Sequence, residues 1–278
     1  MVNKIKSAPI GVFDSGIGGL TVAKELIKAL PNEDIIYLGD TARVPYGTKS
    51  ERTVIAYSHS NAGFLISKGI KLLVVACNTA SSVSIPSLRN EFDIPVIGVI
   101  EPGAKKAVSV TKAGKIGVIG TPSTIGSSAY TKAIHNLNPE IEVYTKACPL
   151  FVPLADEGRT EGEIIEHIAE DYLNPIKNSG IDVLVLGCTH YPLLKNTLQK
   201  VMGAGITLVD SAEETASQIK SVLTEMNLLN ESNPDSEKEF YLTDVSDTFI
   251  SVAGRFLGKK IDKIEMVDII GTTSLPSL

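Results

Sequence analysis

The sequence has no tryptophan, only three cysteines and no long hydrophobic run. A helix that crosses a bilayer needs about 18–20 consecutive apolar residues, and no stretch here approaches that length, so we expect no membrane contact. Polar residues, among them Asp14, interrupt the first apolar segment too early for a secretory signal. Three cysteines cannot all pair with one another. We therefore expect free thiols in a reducing cytoplasm.

The sequence also lacks a strong excess of positive charge. It has 26 Lys and Arg against 32 Asp and Glu, and its formal net charge is −6. Domains that bind nucleic acids as their main ligand usually carry a basic patch, so we expect no nucleic-acid partner. What the chain does have is 278 residues that are 43% hydrophobic, enough for one large domain or two domains of ordinary size.

Strand-like segments alternate with segments of helical periodicity along the chain. Residues 71–77, KLLVVAC, form an unbroken apolar run that is typical of a buried parallel strand. Further strands are expected at 8–14, 34–40, 95–100, 115–120, 141–145, 181–187, 205–210 and 239–243. Ser211 with Glu214 three places later predicts a capping box, and residues 227–238 have the composition of a linker. The alternation predicts an α/β protein built from mostly parallel sheets flanked by helices.

A faint internal repeat suggests two similar lobes. The segment PIGVFDSGIGG at 9–19 resembles KIGVIGTPSTI at 115–125, and a cysteine follows 67 residues after Ile10 and 72 residues after Ile116. We assign residues 1–97 with 208–278 to the first lobe and residues 98–207 to the second. The site is expected in the cleft between them.

The stretch DSGIGG at 14–19 allows three interpretations. Its first two glycines fit the dinucleotide fingerprint and Asp40 lies where a ribose-binding acid would be, but the third glycine position is Thr21. A second interpretation is a tight turn that uses glycine for positive φ. We favour a third, in which Asp14 and Ser15 present functional groups at the carboxyl end of a strand, where open α/β sheets bind ligands.

Two cysteines, Cys77 and Cys188, each follow a strand-like apolar run. A lone buried cysteine is usually a small apolar residue, but a thiol at the start of a helix can be stabilised as a thiolate. Hydrogen-bonding side chains follow each of them: Asn78 and Thr79 in one case, Thr189 and His190 in the other. A zinc site is the alternative role for cysteine together with histidine, but no C-x-x-C or H-x₃-H spacing supports it.

Two reaction classes fit these residues. A cysteine hydrolase or acyl transferase needs one thiol, one base and an oxyanion hole, which Cys188 and His190 could help to form. That class gives Cys77 no role. The other class places two thiols on opposite faces of one carbon, so that one removes a proton and the other delivers one.

Five separated motifs together resemble those of glutamate racemases, which are cofactor-independent enzymes that make D-glutamate for peptidoglycan. The motifs are GVFDSGIGGLTV, YLGDTARVPYG, VVACNTAS, ACPLFVPLADEG and VLGCTHYPLL, and the resemblance runs from about residue 8 to the end of the chain. It implies a cytoplasmic homodimer that interconverts L- and D-glutamate without a metal or other cofactor.

The resemblance also implies roles for individual residues. Cys77 and Cys188 would be the acid/base thiols, with Asp14 and His190 assisting them and Glu157 as a further acidic residue of the active site. The positions that match substrate-binding residues are Asp14, Ser15, Tyr46, Gly47, Asn78, Thr79, Thr189 and His190.

Other interpretations stay open at this point. A racemase that acts on another acidic amino acid, such as aspartate, would use the same two-thiol chemistry. A ligand-binding protein without catalytic activity would share the same architecture. We expect Cys148 to be a packing residue because it has no adjacent base. Arg43 could form a salt bridge within its loop or orient Asp40, and we favour a structural role.

Overall fold

The computed structural model describes residues 5–245, 247–258, 261 and 263–269. Residues 1–4 and 270–278 of the predicted first lobe lie outside the described residues, as does residue 246 at the start of the last predicted helix. The strands are β1 (Ile10–Asp14), β2 (Ile35–Gly39), β3 (Leu72–Val75), β4 (Val96–Gly98), β5 (Lys115–Gly120), β6 (Glu142–Ala147), β7 (Val183–Gly187), β8 (Thr207–Asp210), β9 (Lys238–Leu242) and β10 (Glu265–Met266).

Helices separate most of the strands, as the sequence predicts. The α-helices are α1 (Leu20–Ala29), α2 (Glu51–Ser67), α3 (Asn78–Glu91), α4 (Ile100–Val110), α5 (Pro122–Gly126), α6 (Ala129–Leu137), α7 (Phe151–Asp156), α8 (Glu163–Lys177), α9 (Lys195–Met202), α10 (Ala212–Glu225) and α11 (Asp247–Leu257). Short 3₁₀ helices occupy Thr41–Arg43, Tyr46–Thr48 and Tyr191–Leu194. Among the described helices, none combines the length and the apolar character that crossing a bilayer would require.

The strands form two parallel sheets. The first sheet has the order β10-β9-β2-β1-β3-β4, and the second has the order β6-β5-β7-β8. The order β2-β1-β3-β4 of the first sheet therefore recurs in the second sheet, with β5 in the place of β1 and β7 in the place of β3. This agreement matches the internal repeat in the sequence. The α/β class with two mostly parallel sheets is confirmed.

Both faces of each sheet are covered, because side chains alternate between the faces along each strand. In β1, Ile10 and Val12 pack with apolar residues of α1, α10 and α11, while Phe13 packs on the opposite face with α2 and α3. In β5, Ile116 and Val118 face α4 and α6, while Ile119 faces α8 and α9. We call each sheet with its helices a lobe.

The chain returns from the second lobe to the first slightly later than residue 208, the boundary expected from the sequence. Residues 208–210, which that boundary gives to the first lobe, are the last three residues of β8 and pair with β7 of the second sheet. The chain returns with α10, which packs against both α1 and α4.

Two local features differ from the sequence-based expectation. Ser211 makes no capping hydrogen bond, so the predicted capping box is wrong; Asp210 Oδ1 instead accepts from the Ala212 N–H at 3.3 Å. The linker-like stretch 227–238 is fixed to the first lobe, since Glu33 accepts a hydrogen bond from the Asn230 N–H at 2.8 Å and pairs with Lys71 at 2.6 Å. Polar side chains of the stretch also bind this lobe: Asn233 Nδ2 donates to Asp34 Oδ1 at 3.0 Å, and the Ser236 hydroxyl donates to the Pro31 carbonyl.

Candidate active site

A pocket of about 420 Å³ lies between the two lobes, at the carboxyl ends of both sheets. The first lobe contributes the loops after β1, β2 and β3, and the second contributes those after β5, β6 and β7. The residues that line it are Ser15, Gly16, Ile17, Val44, Pro45, Tyr46, Gly47, Thr48, Cys77, Asn78, Thr79, Thr121, Pro122, Pro149, Val152, Pro153, Asp156, Cys188, Thr189 and His190. A larger groove, between α3, α4, α6 and α10, contains none of the predicted site residues.

Cys77 enters the pocket from the first lobe. It is the N-cap residue of α3, and its sulfur accepts a hydrogen bond from the Ala80 N–H at 3.5 Å. Its thiol lies 3.5 Å from the Ser15 hydroxyl, to which it donates. Burial and the negative charge of Asp14 raise the pKa of the Cys77 thiol to about 12.

Asp14 lies beneath this thiol at the end of β1 and does not line the pocket. It is fully buried, and its Oδ2 accepts a hydrogen bond from the Gly16 N–H at 3.0 Å. Within the described part of the chain, its Oδ1 has no hydrogen-bond partner. Burial raises the pKa of Asp14, and the charge of His190 and backbone N–H groups oppose that rise.

Cys188 enters from the second lobe beside an imidazole and a carboxylate. Its sulfur lies 3.8 Å from His190 Nδ1, and His190 Nε2 lies 3.2 Å from Asp156 Oδ1. Burial lowers the pKa of His190, but the hydrogen bonds to Asp156 and Cys188 outweigh it and hold that pKa well above its ordinary value. The ring also packs edge-on against Phe256 of the first lobe, with 5.3 Å between centroids.

The acidic residue of this segment that reaches the pocket is Asp156. Glu157, the acid predicted from the sequence, is exposed and does not line the pocket. The reason is helical geometry, because residues four apart share a face of α7. Val152 and Asp156 both line the pocket, while the next residue points about 100° away.

Tyr46 and Gly47 form one wall of the pocket over a buried polar network. The Tyr46 hydroxyl donates to Asp40 and accepts from Asn61 Nδ2 at 3.0 Å, so it has no proton left to offer a ligand. Arg43 pairs with Asp40 at 2.7 Å and donates to Asn61 Oδ1 at 2.9 Å. These contacts give Arg43 the structural role that the sequence favours.

Asn78 and Thr79 begin α3 and connect the lobes. Thr79 Oγ1 lies 2.9 Å from Thr121 Oγ1 of the second lobe, and the hydroxyl of Tyr130 donates to Asn78 Oδ1 at 2.7 Å. Asn78 Nδ2 is buried and has no hydrogen-bond partner among the described residues. Unpaired buried donors are costly, so this amide offers a donor to a ligand in the pocket.

Two glycines permit the close approach of the lobes. A Cβ atom at Gly18 would lie 2.5 Å from both His190 Nδ1 and Thr189 Oγ1, and one at Gly47 would lie 2.6 Å from Thr121 Cβ. The glycines of the stretch 14–19 are not among those with positive φ, so the interpretation as a positive-φ turn is wrong. Gly18 and Gly47 are required for the absence of a side chain and not for their backbone conformation.

The sequence-based prediction missed Asp156, Thr121, Tyr130 and Phe256. Thr121 could have been found, because it occupies in the second repeat the position of Ser15 in the first. Cys148 is buried and its thiol donates to the Lys146 carbonyl at 3.7 Å, away from the pocket. In the residues that the structure describes, no three His, Cys, Asp or Glu side chains are grouped so that they could hold a metal.

Comparison with known proteins gives one consistent result. Residues 10–219 match the family model described as Asp/Glu/hydantoin racemase. A glutamate racemase of Geobacter metallireducens is 55% identical, covering 94% of this chain and 96% of its own length.

Solved structures agree. The glutamate racemase of Francisella tularensis, determined in complex with D-glutamate, is 42% identical with a TM-score of 0.90, covering 96% of this chain and 99% of its own. A glutamate racemase isoform of Bacillus anthracis is 42% identical with a TM-score of 0.91, covering 95% and 98%. The chain therefore belongs to the Asp/Glu/hydantoin racemase family of isomerases.

Proposed function

We propose that this chain interconverts L-glutamate and D-glutamate by proton transfer to and from two thiols, Cys77 and Cys188, without a metal or organic cofactor. One observation carries the proposal: a single pocket between the lobes is lined by both thiols, each at the equivalent strand end of its own sheet. The similarity to glutamate racemases supports glutamate as the substrate.

The reaction changes only the face of Cα to which the hydrogen is bonded. The thiolate on one side forms an S–H bond as the Cα–H bond breaks, and the electron pair stays on Cα. The thiol on the other side then gives its proton to the opposite face of that carbon and becomes a thiolate. The two cysteines end with exchanged protonation states, ready for the reverse reaction.

The contacts of the two thiols suit this exchange. With a pKa raised to about 12, Cys77 is protonated at neutral pH and is ready to donate. Cys188 lies 3.8 Å from His190 Nδ1, and the raised pKa of His190 favours the imidazolium form of that ring. We propose that the resting enzyme accepts the enantiomer that Cys188 deprotonates, which by resemblance is L-glutamate, and that Asp14 assists Cys77 in the other direction.

The pocket also has groups for two carboxylates and one ammonium. Its side-chain donors are those of Ser15, Asn78, Thr79 and Thr189, and Tyr46 and Gly47 also line it. The N-terminus of α3 opens at Cys77, and the partial positive charge there favours an anion. We propose that these groups bind the substrate carboxylates, and that Asp14, which does not line the pocket, acts on the ammonium group only through its charge.

We propose further that the D-glutamate supplies peptidoglycan synthesis in the cytoplasm and that the chain acts as a homodimer. The resemblance to glutamate racemases supports these statements. Cells that lose the chain should then require added D-glutamate, and light scattering during size-exclusion chromatography should give twice the mass of one chain.

A second candidate is a cysteine hydrolase. Cys188, His190 and Asp156 form a thiol–imidazole–carboxylate series with separations of 3.8 and 3.2 Å, which is the order such enzymes use. This candidate gives Cys77 no chemical role, although the thiol lines the same pocket.

One assay tests the racemase proposal and its substrate. Protein dialysed against a chelator, without added pyridoxal phosphate or metal, is incubated with each enantiomer of glutamate and of aspartate, and the products are resolved by chiral chromatography. We expect both glutamate enantiomers to converge on an equal mixture. Conversion of aspartate alone, or activity that returns only with a metal or pyridoxal phosphate, would contradict the proposal.

A further inference from the structure

The amide of Asn78 is held from the opposite lobe. Asn78 starts α3 in the first lobe, while Tyr130 lies in α6 of the second lobe, and the phenol donates to Asn78 Oδ1 at 2.7 Å. Both side chains are more than nine-tenths buried. The oxygen of the amide is therefore satisfied within the protein, whereas Nδ2, which has no partner in the described chain, belongs to a residue that lines the pocket.

The direction of this hydrogen bond matters, because an Asn side chain can turn by 180° and exchange its oxygen for its nitrogen. A phenol that keeps its proton and donates it requires the oxygen on its own side. Burial raises the pKa of Tyr130, so the hydroxyl stays protonated at neutral pH, and a hydrogen bond with Ser211 opposes that rise.

Ser211 is a further residue near the Tyr130 hydroxyl. Its side chain does not cap α10, although the sequence predicts that it should, and Tyr130 Oη and Ser211 Cβ both lie near the Cβ position of Gly103, at 3.3 and 3.2 Å. The serine is buried at the point where the chain returns from β8 to the first lobe.

We propose that Tyr130 is a positioning residue for the substrate carboxylate: its hydroxyl, with Ser211 behind it, orients the Asn78 amide so that Nδ2 faces the pocket as a donor. The inference rests on the proposed function, since it takes an amino-acid carboxylate as the group that Nδ2 binds. Tyr130 touches no reacting atom in this account and acts through Asn78.

The test is Tyr130→Phe, which keeps the ring and removes only the hydroxyl. Without the phenol, the Asn78 amide is no longer held in one orientation, and its hydrogen bond to the substrate carboxylate is weakened or lost. KM for either enantiomer of glutamate should therefore rise by about 5- to 50-fold, while kcat changes by less than about threefold. Ser211→Ala should raise KM in the same direction by a smaller factor. Tyr241→Phe is the matched control, because that hydroxyl bonds Glu239 and Lys68 far from the pocket, and its KM should not change.

A double-mutant cycle distinguishes positioning from general structural support. In an Asn78→Ala background, Tyr130→Phe should raise KM no further, because the residue through which it acts is gone. Additive effects, or a KM within about twofold of wild type for Tyr130→Phe alone, would overturn the inference. Calorimetric binding of glutamate provides the second readout. A wild-type chain that neither binds nor racemises glutamate would contradict the proposed function itself, whereas normal wild-type racemisation with unchanged Tyr130→Phe kinetics would contradict only this inference.

Discussion

At the level of single residues, the two thiols of the pocket have opposite electrostatic neighbours. The carboxylate of Asp14 helps to raise the pKa of Cys77, whereas Cys188 lies 3.8 Å from Nδ1 of His190, a ring whose own pKa is raised. Racemisation by two bases needs one acid and one base at the start of each turnover. The proposed mechanism takes that difference from the different neighbours of the two thiols.

Replacing Asp14 tests the origin of the raised Cys77 pKa. Asp14→Asn removes the charge and should lower the pKa, so iodoacetamide should alkylate Cys77 about three- to tenfold faster at fixed mild alkaline pH. Peptide mass spectrometry measures the rate at each cysteine. Cys148 is an internal control, since burial raises its pKa to about 12 as well, without a contribution from Asp14. A Cys77 rate that does not change, or one that changes together with that of Cys148, would contradict the assignment.

Asp156 provides the corresponding test for the second thiol. Its hydrogen bond helps to raise the His190 pKa, so Asp156→Asn should lower that pKa and shift the alkaline loss of Cys188-dependent turnover to lower pH. A histidine whose pKa is raised on folding stabilises the native state below its unfolded pKa of about 6.5, and this contribution is lost as pH rises through the folded pKa.

The same variant should therefore lose stability relative to wild type in urea at about pH 6, and the difference should shrink at about pH 9. NMR titration of His190 gives the pKa directly, and Glu157→Gln is the matched control because that neighbouring side chain is exposed. An equal loss of stability at both pH values would argue that Asp156 acts only through packing.

At the level of elements, the site depends on loops that follow parallel strands and press against each other across the cleft. Gly18, just before α1, is tightly packed against Thr189 and His190 after β7. A side chain at this position would displace the loop that holds the second thiol and its histidine.

Gly18→Ala should lower kcat/KM by about 100-fold, because small displacements of a catalytic group have effects of that size, and it should destabilise the fold by about 1–3 kcal/mol through overpacking. Gly63→Ala is the control, since nothing lies within 4 Å of its Cβ position on the exposed side of α2. That change should leave kcat/KM unaltered and stabilise the helix by about 0.5–1 kcal/mol. Steady-state kinetics with urea unfolding provides both numbers, and near-normal kinetics for Gly18→Ala would show that the contact is not needed.

Much of this arrangement could be predicted from the sequence, and the limits have physical causes. Apolar runs such as residues 71–77 locate buried parallel strands, and the carboxyl ends of such strands locate the pocket, which explains why Cys77 and Cys188 were found. Glu157 follows from a match to a motif position, and such a match does not specify helical phase, so it gives no indication that Asp156 reaches the pocket. Tyr130 and Phe256 were missed because their contacts join segments far apart in the chain.

Side-chain partners are a further limit. The pattern at Ser211 and Glu214 matches a capping box, yet Ser211 does not cap α10. Residues 227–238 have the polarity of a linker, but Glu33 and Asp34 bind their backbone. The sequence shows which hydrogen bonds a side chain is able to form, but the fold determines which partner lies within reach.

At the level of the whole molecule, two sheets that share one four-strand order face each other, and each contributes one thiol. Contacts that cross the cleft involve residues of the site itself: Thr79 with Thr121, Asn78 with Tyr130, and His190 with Phe256. The lobe arrangement and the chemistry are therefore linked. A repeat that places equivalent residues on opposite sides of one cavity suits a reaction in which equivalent groups act on opposite faces of one carbon.

The opposed arrangement of the thiols is the central claim, and half-reactions test it most directly. A glutamate analogue with a leaving group on its β-carbon eliminates after a single proton is removed, so one working thiol is enough. Cys77→Ser and Cys188→Ser should each abolish racemisation of glutamate, because a serine hydroxyl is far too weak an acid to replace the thiol. Elimination should survive in Cys77→Ser with only the enantiomer that Cys188 deprotonates, L by resemblance, and in Cys188→Ser with only the D form. If both variants eliminate the same enantiomer, or if Cys77→Ser racemises glutamate nearly as well as wild type, the two thiols do not act from opposite sides of one carbon.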